Sequence, residues 1–368
     1  MPVKKLPANP NLDHLRHQAK DLMRDHTARM PHSAQLLREF HPRFLHSTDA
    51  DIFGVRLSLS DAQLAIARES GFPSWTRLKR HIEKPTLTDR LDLPHHERIE
   101  DPVFRHAVDL IDAGDERGLR AWLQQHPHLV HQHIAFEGGN YFCNPTLLEF
   151  VAENPIRHRV LPANIVHVAK LIIEAGAALS ALNETLGLVG SGCVPRECRV
   201  QLPLIDLLCD QGADPNTALD PAVGHGEFEA ANALIRRGAT ITLPVAAALG
   251  RIDNVRQSLP VAASDDRHRA FAWACQFGHL EIVRMLLDAG EDPNRYNPVG
   301  CHAHSTPLHQ VALAGHGDVV RLLVERGAKL NQKDVLWRGT PADWAEHEGR
   351  TETAAYLRAQ ENSRDAKG

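Results

Sequence analysis

The feature that most constrains this chain is a phrase that recurs along its second two-thirds. LIDLLCDQGADPN (204–216), ANALIRRGATI (231–241), IVRMLLDAGEDPN (282–294) and VVRLLVERGAKLN (319–331) each run an apolar helix face into a glycine and a short extended segment. The glycines are Gly212, Gly238, Gly290 and Gly327, and LIIEAGAAL (171–179) adds Gly176. Glycine suits that place because a helix C-terminus there turns into positive φ. A second landmark is a glycine followed by a polar or acidic first turn, at Gly226, Gly250, Gly278, Gly315 and Gly349. Acidic groups in a first turn complement the helix dipole. Two such helices are preceded by Thr306-Pro307-Leu308-His309 and Thr340-Pro341-Ala342-Asp343. Threonine caps a helix, and proline in the first turn loses no hydrogen bond.

Landmarks that return in one order, near a period of roughly 33 residues, mean stacked repeats. The pattern resembles the ankyrin repeat, a hairpin finger followed by helix, turn and helix. TPLH at 306–309 is a specific match, with Val311 where the family usually has alanine. The match is looser at 340–345, with Asp343 in place of the histidine, and at 145–153, with Glu149 there. The resemblance spans residues 102–359 and implies an all-α ankyrin-repeat solenoid of about seven repeats. In that family the histidine matched by His309 is structural, bonding the backbone of a neighbouring loop.

The landmark spacing is uneven. Gly290 to Gly315 and Gly327 to Gly349 are long intervals, whereas Gly212 to Gly226 and Gly238 to Gly250 are short. The shortfall matches a hairpin, so the central repeats are expected to lack fingers. Fingers are expected at 134–144, 181–200, 295–305 and 332–339. A notch is expected between the 134–200 fingers and the 291–339 fingers.

Ahead of the array, Leu12, Leu15, Ala19 and Leu22 share a helical face, Ser60 and Gln63 fit a capping box, and Trp75, Leu78 and Ile82 share another face. Residues 1–84 are therefore expected to form a small helical module, 85–101 a linker, and 360–368 a frayed tail. This segment resembles an N-terminal extension of bacterial ankyrin-repeat proteins, a resemblance that implies no activity.

The chemistry of the sequence is sparse. Hydrophobic residues make up 43% but aromatic ones only 5%, which suits close helix packing through Ala and Leu. The net charge of -5 disfavours a nucleic-acid surface, since phosphate binding needs clustered cations. No apolar run is long enough for a membrane span, and the N-terminus does not read as an export signal. The six cysteines then read as reduced thiols in a cytoplasm. Cys301, His302 and His304 have zinc-compatible side chains, and in extended chain His302 and His304 would face one side. Zinc needs three or four converging ligands, so no metal or cofactor is expected. No spacing matches a nucleophile elbow, a phosphate loop or a dinucleotide fingerprint, so no catalytic residue is assigned.

What remains is recognition. Asn140, Tyr141, Phe142, Tyr296, Trp337 and Arg338 sit in expected fingers, and loops on rigid scaffolds often bind. Glu197, His302 and His304 extend this set toward the notch. The expected function is non-catalytic binding of a protein or peptide through the finger face. The alternative is a small-molecule or enzymatic site in the notch, with or without a metal, involving Glu137 and Glu197 with His302 and His304. A third reading makes the N-terminal module an adaptor and the array a spacer.

Overall fold

The computed structural model describes residues 6–7, 10–45, 47–83, 90–136 and 141–365. The described residues are helical and contain no β-strand. The fold is an all-α ankyrin array in which antiparallel helix pairs repeat along the chain. Two compact units are present, one made of Met1–Glu69 with Thr242–Gly368 and the other of Ser70–Ile241.

In the Ser70–Ile241 unit the pairs are Pro102–Ala113 with Glu116–Gln125, Leu148–Ala152 (a 3-10 turn) with Ile165–Glu174, Leu179–Ser191 with Gln201–Asp210, and Asn216–Gly224 with Phe228–Arg236. The finger expected at 181–200 is absent. That stretch is the Leu179–Ser191 helix followed by a short helix, Cys193–Glu197. Its glycines read as loop, but Ala181, Leu182, Thr185, Leu186 and Val189 fall at helical spacing and are buried. The 134–144 finger is present at its base, where Ile134 N–H donates to Pro145 O at 3.0 Å and Phe136 N–H to Cys143 O at 2.8 Å. Ahead of the first pair, Arg98 and Ile99 are buried within the stretch expected to be a polar linker. The Arg98 guanidinium lies over the Phe136 ring.

In the other unit the pairs are Leu243–Ala248 with Ile252–Ser258, Ser264–Gln276 with Leu280–Asp288, Pro307–Ala314 with Gly317–Glu325, and Pro341–His347 with Thr351–Asp365. The last helix runs to Asp365, through most of the stretch expected to fray. The connections 175–178, 211–215 and 259–263 have no room for a hairpin, while 289–306 and 326–340 carry fingers.

Successive pairs in this unit are tied by one repeated contact. His279 Nε2 donates to Ala248 O at 2.8 Å, His316 Nε2 to Gln276 O at 3.1 Å, and Arg350 Nε to Leu313 O at 3.1 Å. Each bond satisfies a carbonyl that the end of the preceding helix leaves open. The contact accounts for the second glycine landmark at Gly250, Gly278 and Gly315. At Gly278 φ is +75°, and a Cβ would come within 2.7 Å of the His316 ring. Gly327, of the first landmark class, has φ +89° but open space around it. The first glycine meets a backbone need alone, whereas Gly250, Gly278 and Gly315 meet that need and make room for a neighbour, and Gly349, in the last pair, has open space around it.

The Leu12–Thr27, Pro31–Phe40, Asp49–Gly54 and Leu59–Glu69 helices belong to the same unit as residues 242–368. The division falls at Glu69, not at 84, so Trp75–Glu83 counts with the other unit. Leu15, Ala19 and Leu22 are buried on the expected face, and His26 Nε2 bonds Ile52 O at 2.8 Å. The capping pair at Leu59–Glu69 lies two residues earlier than expected. Ser58 and Asp61 cap reciprocally, with Ser58 N–H donating to Asp61 Oδ2 at 2.9 Å and Asp61 N–H to Ser58 Oγ at 3.1 Å. Aspartate, with its shorter reach, fulfils the role assigned to Gln63.

Candidate recognition surface on the C-terminal fingers

The two C-terminal fingers adjoin. The first closes on Asn297 N–H donating to Ser305 O at 2.9 Å, the second on Asp334 N–H donating to Gly339 O at 2.9 Å. They join through Val335 N–H to His304 O at 2.8 Å and Tyr296 Oη–H to Lys333 O at 2.7 Å. Tyr296 thus spends its hydroxyl on holding the fingers together. Tyr296→Phe is expected to lower the stability of this unit by about 1 kcal/mol, the net worth of one hydrogen bond. Urea denaturation checks this, and an unchanged midpoint would show that the fingers do not depend on the link.

The second finger is built around a buried carboxylate. Asp334 Oδ1 accepts from Leu336 N–H at 2.8 Å and Trp337 N–H at 2.6 Å. Its Oδ2 accepts from Gly339 N–H at 2.7 Å and Trp344 Nε1–H at 3.0 Å. This cage fixes a tight loop in which Arg338 takes φ +61°. The outcome is an indole held out of the core: Trp337 is 65% exposed. Its inner side rests on His304 at 5.1 Å and Trp344 at 5.6 Å between ring centroids. Arg338 beside it is exposed too.

His304, expected among the binding residues, is not available on the finger surface. It is 1% exposed and lies between Trp337 and Trp344. Burial holds its imidazole down to about 4, so at neutral pH it is an uncharged ring under the indole. The expected alternation of His302 and His304 fails because His302 has φ +60° and the chain turns there. Cys301 is buried and His302 exposed. Among the described residues no group of three or more His, Cys, Asp or Glu could hold a metal ion.

His309 has the role the resemblance implied. Thr306 N–H donates to its Nδ1 at 3.2 Å, which places the ring proton on Nε2, and Nε2 donates to Gly339 O at 3.2 Å. Asp343 and Glu149 accept from Thr340 N–H and Thr146 N–H, each at 2.7 Å. Imidazole and two carboxylates thus fill one capping position.

The other expected site residues lie in the Ser70–Ile241 unit. Asn140 and Glu137 fall outside the described residues. Tyr141 is exposed, with its hydroxyl donating to Asn154 Oδ1 at 3.0 Å. Phe142 is not available on a surface: it is 3% exposed and packs edge-on against His95 and Phe150. Glu197 is exposed on a short helix beside Arg196, not on a finger. A shallow cleft of about 220 Å³ lies between the Gly317–Glu325 and Thr351–Asp365 helices, lined by Gly315, Asp318, Arg321 and Tyr356 among others. It is smaller than usual ligand sites and includes none of the residues expected at a small-molecule site.

A family model described as ankyrin repeats (3 copies) matches residues 243–334 and 271–366. The rat "Cyclin-dependent kinase 4 inhibitor B" (Rattus norvegicus) is 31% identical over 126 residues, which is 33% of this chain and 94% of that protein. The chain belongs to the ankyrin-repeat family. Within this family it is also similar to human "Cyclin-dependent kinase inhibitor 2A" (Homo sapiens), 31% identical over 121 residues, covering 32% of this chain and 75% of that one. The mouse "Ankyrin repeat and SAM domain-containing protein 6" (Mus musculus) is 30% identical over 106 residues, covering 29% of this chain and 12% of its own length. Among the described residues of this ankyrin protein no helix is long and apolar enough to cross a membrane.

Proposed function

We propose that this chain is a non-catalytic recognition protein that binds a protein or peptide through its C-terminal fingers, with Trp337 and Arg338 as anchors. The observation that carries this reading is the 65% exposed indole of Trp337 on a loop fixed by Asp334. An exposed tryptophan on a mobile loop would lose entropy on binding, whereas a caged one is already ordered. Tryptophan and arginine are also the types that most often dominate interface energy. Tyr296 and His302 flank them on the adjoining finger. Tyr141 and Glu197 are exposed on the other unit and are secondary candidates. The names of two relatives describe inhibitors of cyclin-dependent kinases, which supports a protein as the class of partner.

The test is capture with the wild-type chain and with a Trp337→Ala, Arg338→Ala double variant side by side, read by quantitative mass spectrometry. A specific partner is expected to fall about tenfold or more with the double variant. The thermal midpoint should be unchanged, because both side chains are mostly outside the core. Recovery of the same proteins in the same amounts would remove this finger from the site.

A further inference from the structure

The Pro31–Phe40 helix carries Gln35, Arg38 and Glu39 close together on one side. Such a polar helix face ordinarily meets water. Here Gln35 is 2% exposed and Glu39 is 4% exposed. Gln35 Nε2 donates to Ala303 O, on the first C-terminal finger. Arg38, whose Nη1 donates to Gln35 Oε1 at 2.8 Å, acts electrostatically on His268 of the Ser264–Gln276 helix. Asp49, paired with Arg38, acts likewise on the Tyr296 phenol. In a fully fingered array a preceding finger would flank the 295–305 finger. The short 259–263 connection supplies none, and the Pro31–Phe40 helix contacts that finger instead.

The helix and the finger that it contacts both hold buried polar atoms left unbonded. Among the described residues, both Glu39 carboxyl oxygens on the helix and both Asn297 amide atoms on the finger are buried without a hydrogen-bond partner, as is His268 Nε2 on the Ser264–Gln276 helix. Buried polar atoms in a permanent core are nearly always bonded, and each one left unbonded bears its full desolvation cost. Polar contacts of this kind typify surfaces that separate and rejoin.

We propose that the Leu12–Glu69 helices are a releasable internal cover, seated on the 295–305 finger in competition with the protein partner that the fingers bind. The cover rests on the reading of these fingers as a recognition surface. It closes by placing Gln35 on Ala303 O, and opening returns the polar face of the helix to water.

Two cysteines allow the test in the full chain. Cys301 is buried in the finger two residues from the Gln35 contact, and Cys275 is buried within the Ser264–Gln276 helix. Pulsed N-ethylmaleimide labelling, located by peptide mass spectrometry, reads each thiol separately. Gln35→Ala removes the bond to Ala303 and is expected to speed Cys301 labelling about three- to tenfold, the worth of one hydrogen bond, with Cys275 unchanged. Equal Cys301 rates in wild type and variant, or acceleration of both thiols together, would overturn the cover. A partner lost by the Trp337→Ala, Arg338→Ala chain should bind the Gln35→Ala chain several-fold tighter, since a larger fraction of the chain is competent to bind. Unchanged affinity would also overturn it. Labelling reads uncovering without any partner, and capture by the finger variant reads recognition without reference to the cover, so the two readings fail separately.

Discussion

Glu39→Gln is expected to stabilise the Met1–Glu69 and Thr242–Gly368 unit progressively as pH rises. Burial, with Glu69 adding to it, pushes the Glu39 carboxyl up to about 7 from an ordinary value of 4.5. The folded state therefore holds a proton that the unfolded chain has already released. Stability from this group is fully present below about pH 4.5 and is lost as pH rises through about 7. The loss amounts to about 3 kcal/mol at pH 8, from the displacement and 1.36 kcal/mol per pH unit. Glutamine cannot ionise, so the difference between variant and wild type should be flat below about pH 4.5 and grow to about 3 kcal/mol by pH 8. His268 and His304 act in the opposite sense. Burial lowers them to about 3 and about 4, so their stability is present above about 6.5 and lost as pH falls. They are common to both chains, and the difference profile removes them. Denaturant titrations at several pH values give the answer, and parallel profiles would show that Glu39 is not buried as a carboxylic acid.

Gly278→Ala is expected to cost about 2–3 kcal/mol. A Cβ at φ +75° costs about 1 kcal/mol in backbone strain. The same Cβ would stand within 2.7 Å of the His316 ring. The ring must then withdraw from Gln276 O, losing about 1 kcal/mol more. Gly327→Ala is the control, with a similar φ and nothing in contact with the added carbon. It should cost about 1 kcal/mol. Equal shifts in the urea midpoint for the two variants would show that the histidine contact adds nothing to the backbone requirement.

Much of the array was legible because its signals are local. A helix that ends at glycine, a TPLH opening and an acidic first turn each lie within a few residues of what they specify. His309 could be assigned from the family pattern, and the short 211–215 and 259–263 connections from landmark spacing. The readings that failed depended on contacts the local pattern does not encode. Residues 181–200 hold Gly187, Gly190, Gly192 and Pro195 and look like a loop, yet burial of Leu182, Leu186 and Val189 makes a helix of most of them. The His302–His304 reading assumed extended chain, and one left-handed residue reversed it. Trp337 was singled out from its residue type and loop position, but the Asp334 cage that presents it joins a loop to a tryptophan on the next helix. The seating of Gln35 on Ala303, 268 residues away, had no signal in either stretch.

The histidine-over-glycine contact also bears on how such a chain changes length. His279 and His316 occupy equivalent places, and so do Gly250 and Gly278. Excision of residues 279–315 would set His316 over Gly250 and Arg350 over Gly278, each a partnership of a kind the chain already makes. Gain or loss of a whole period therefore meets a ready-made joint on both sides, whereas a change of any other size breaks one. The joint makes the array modular, so recombination within the gene can lengthen or shorten it without first inventing a new interface.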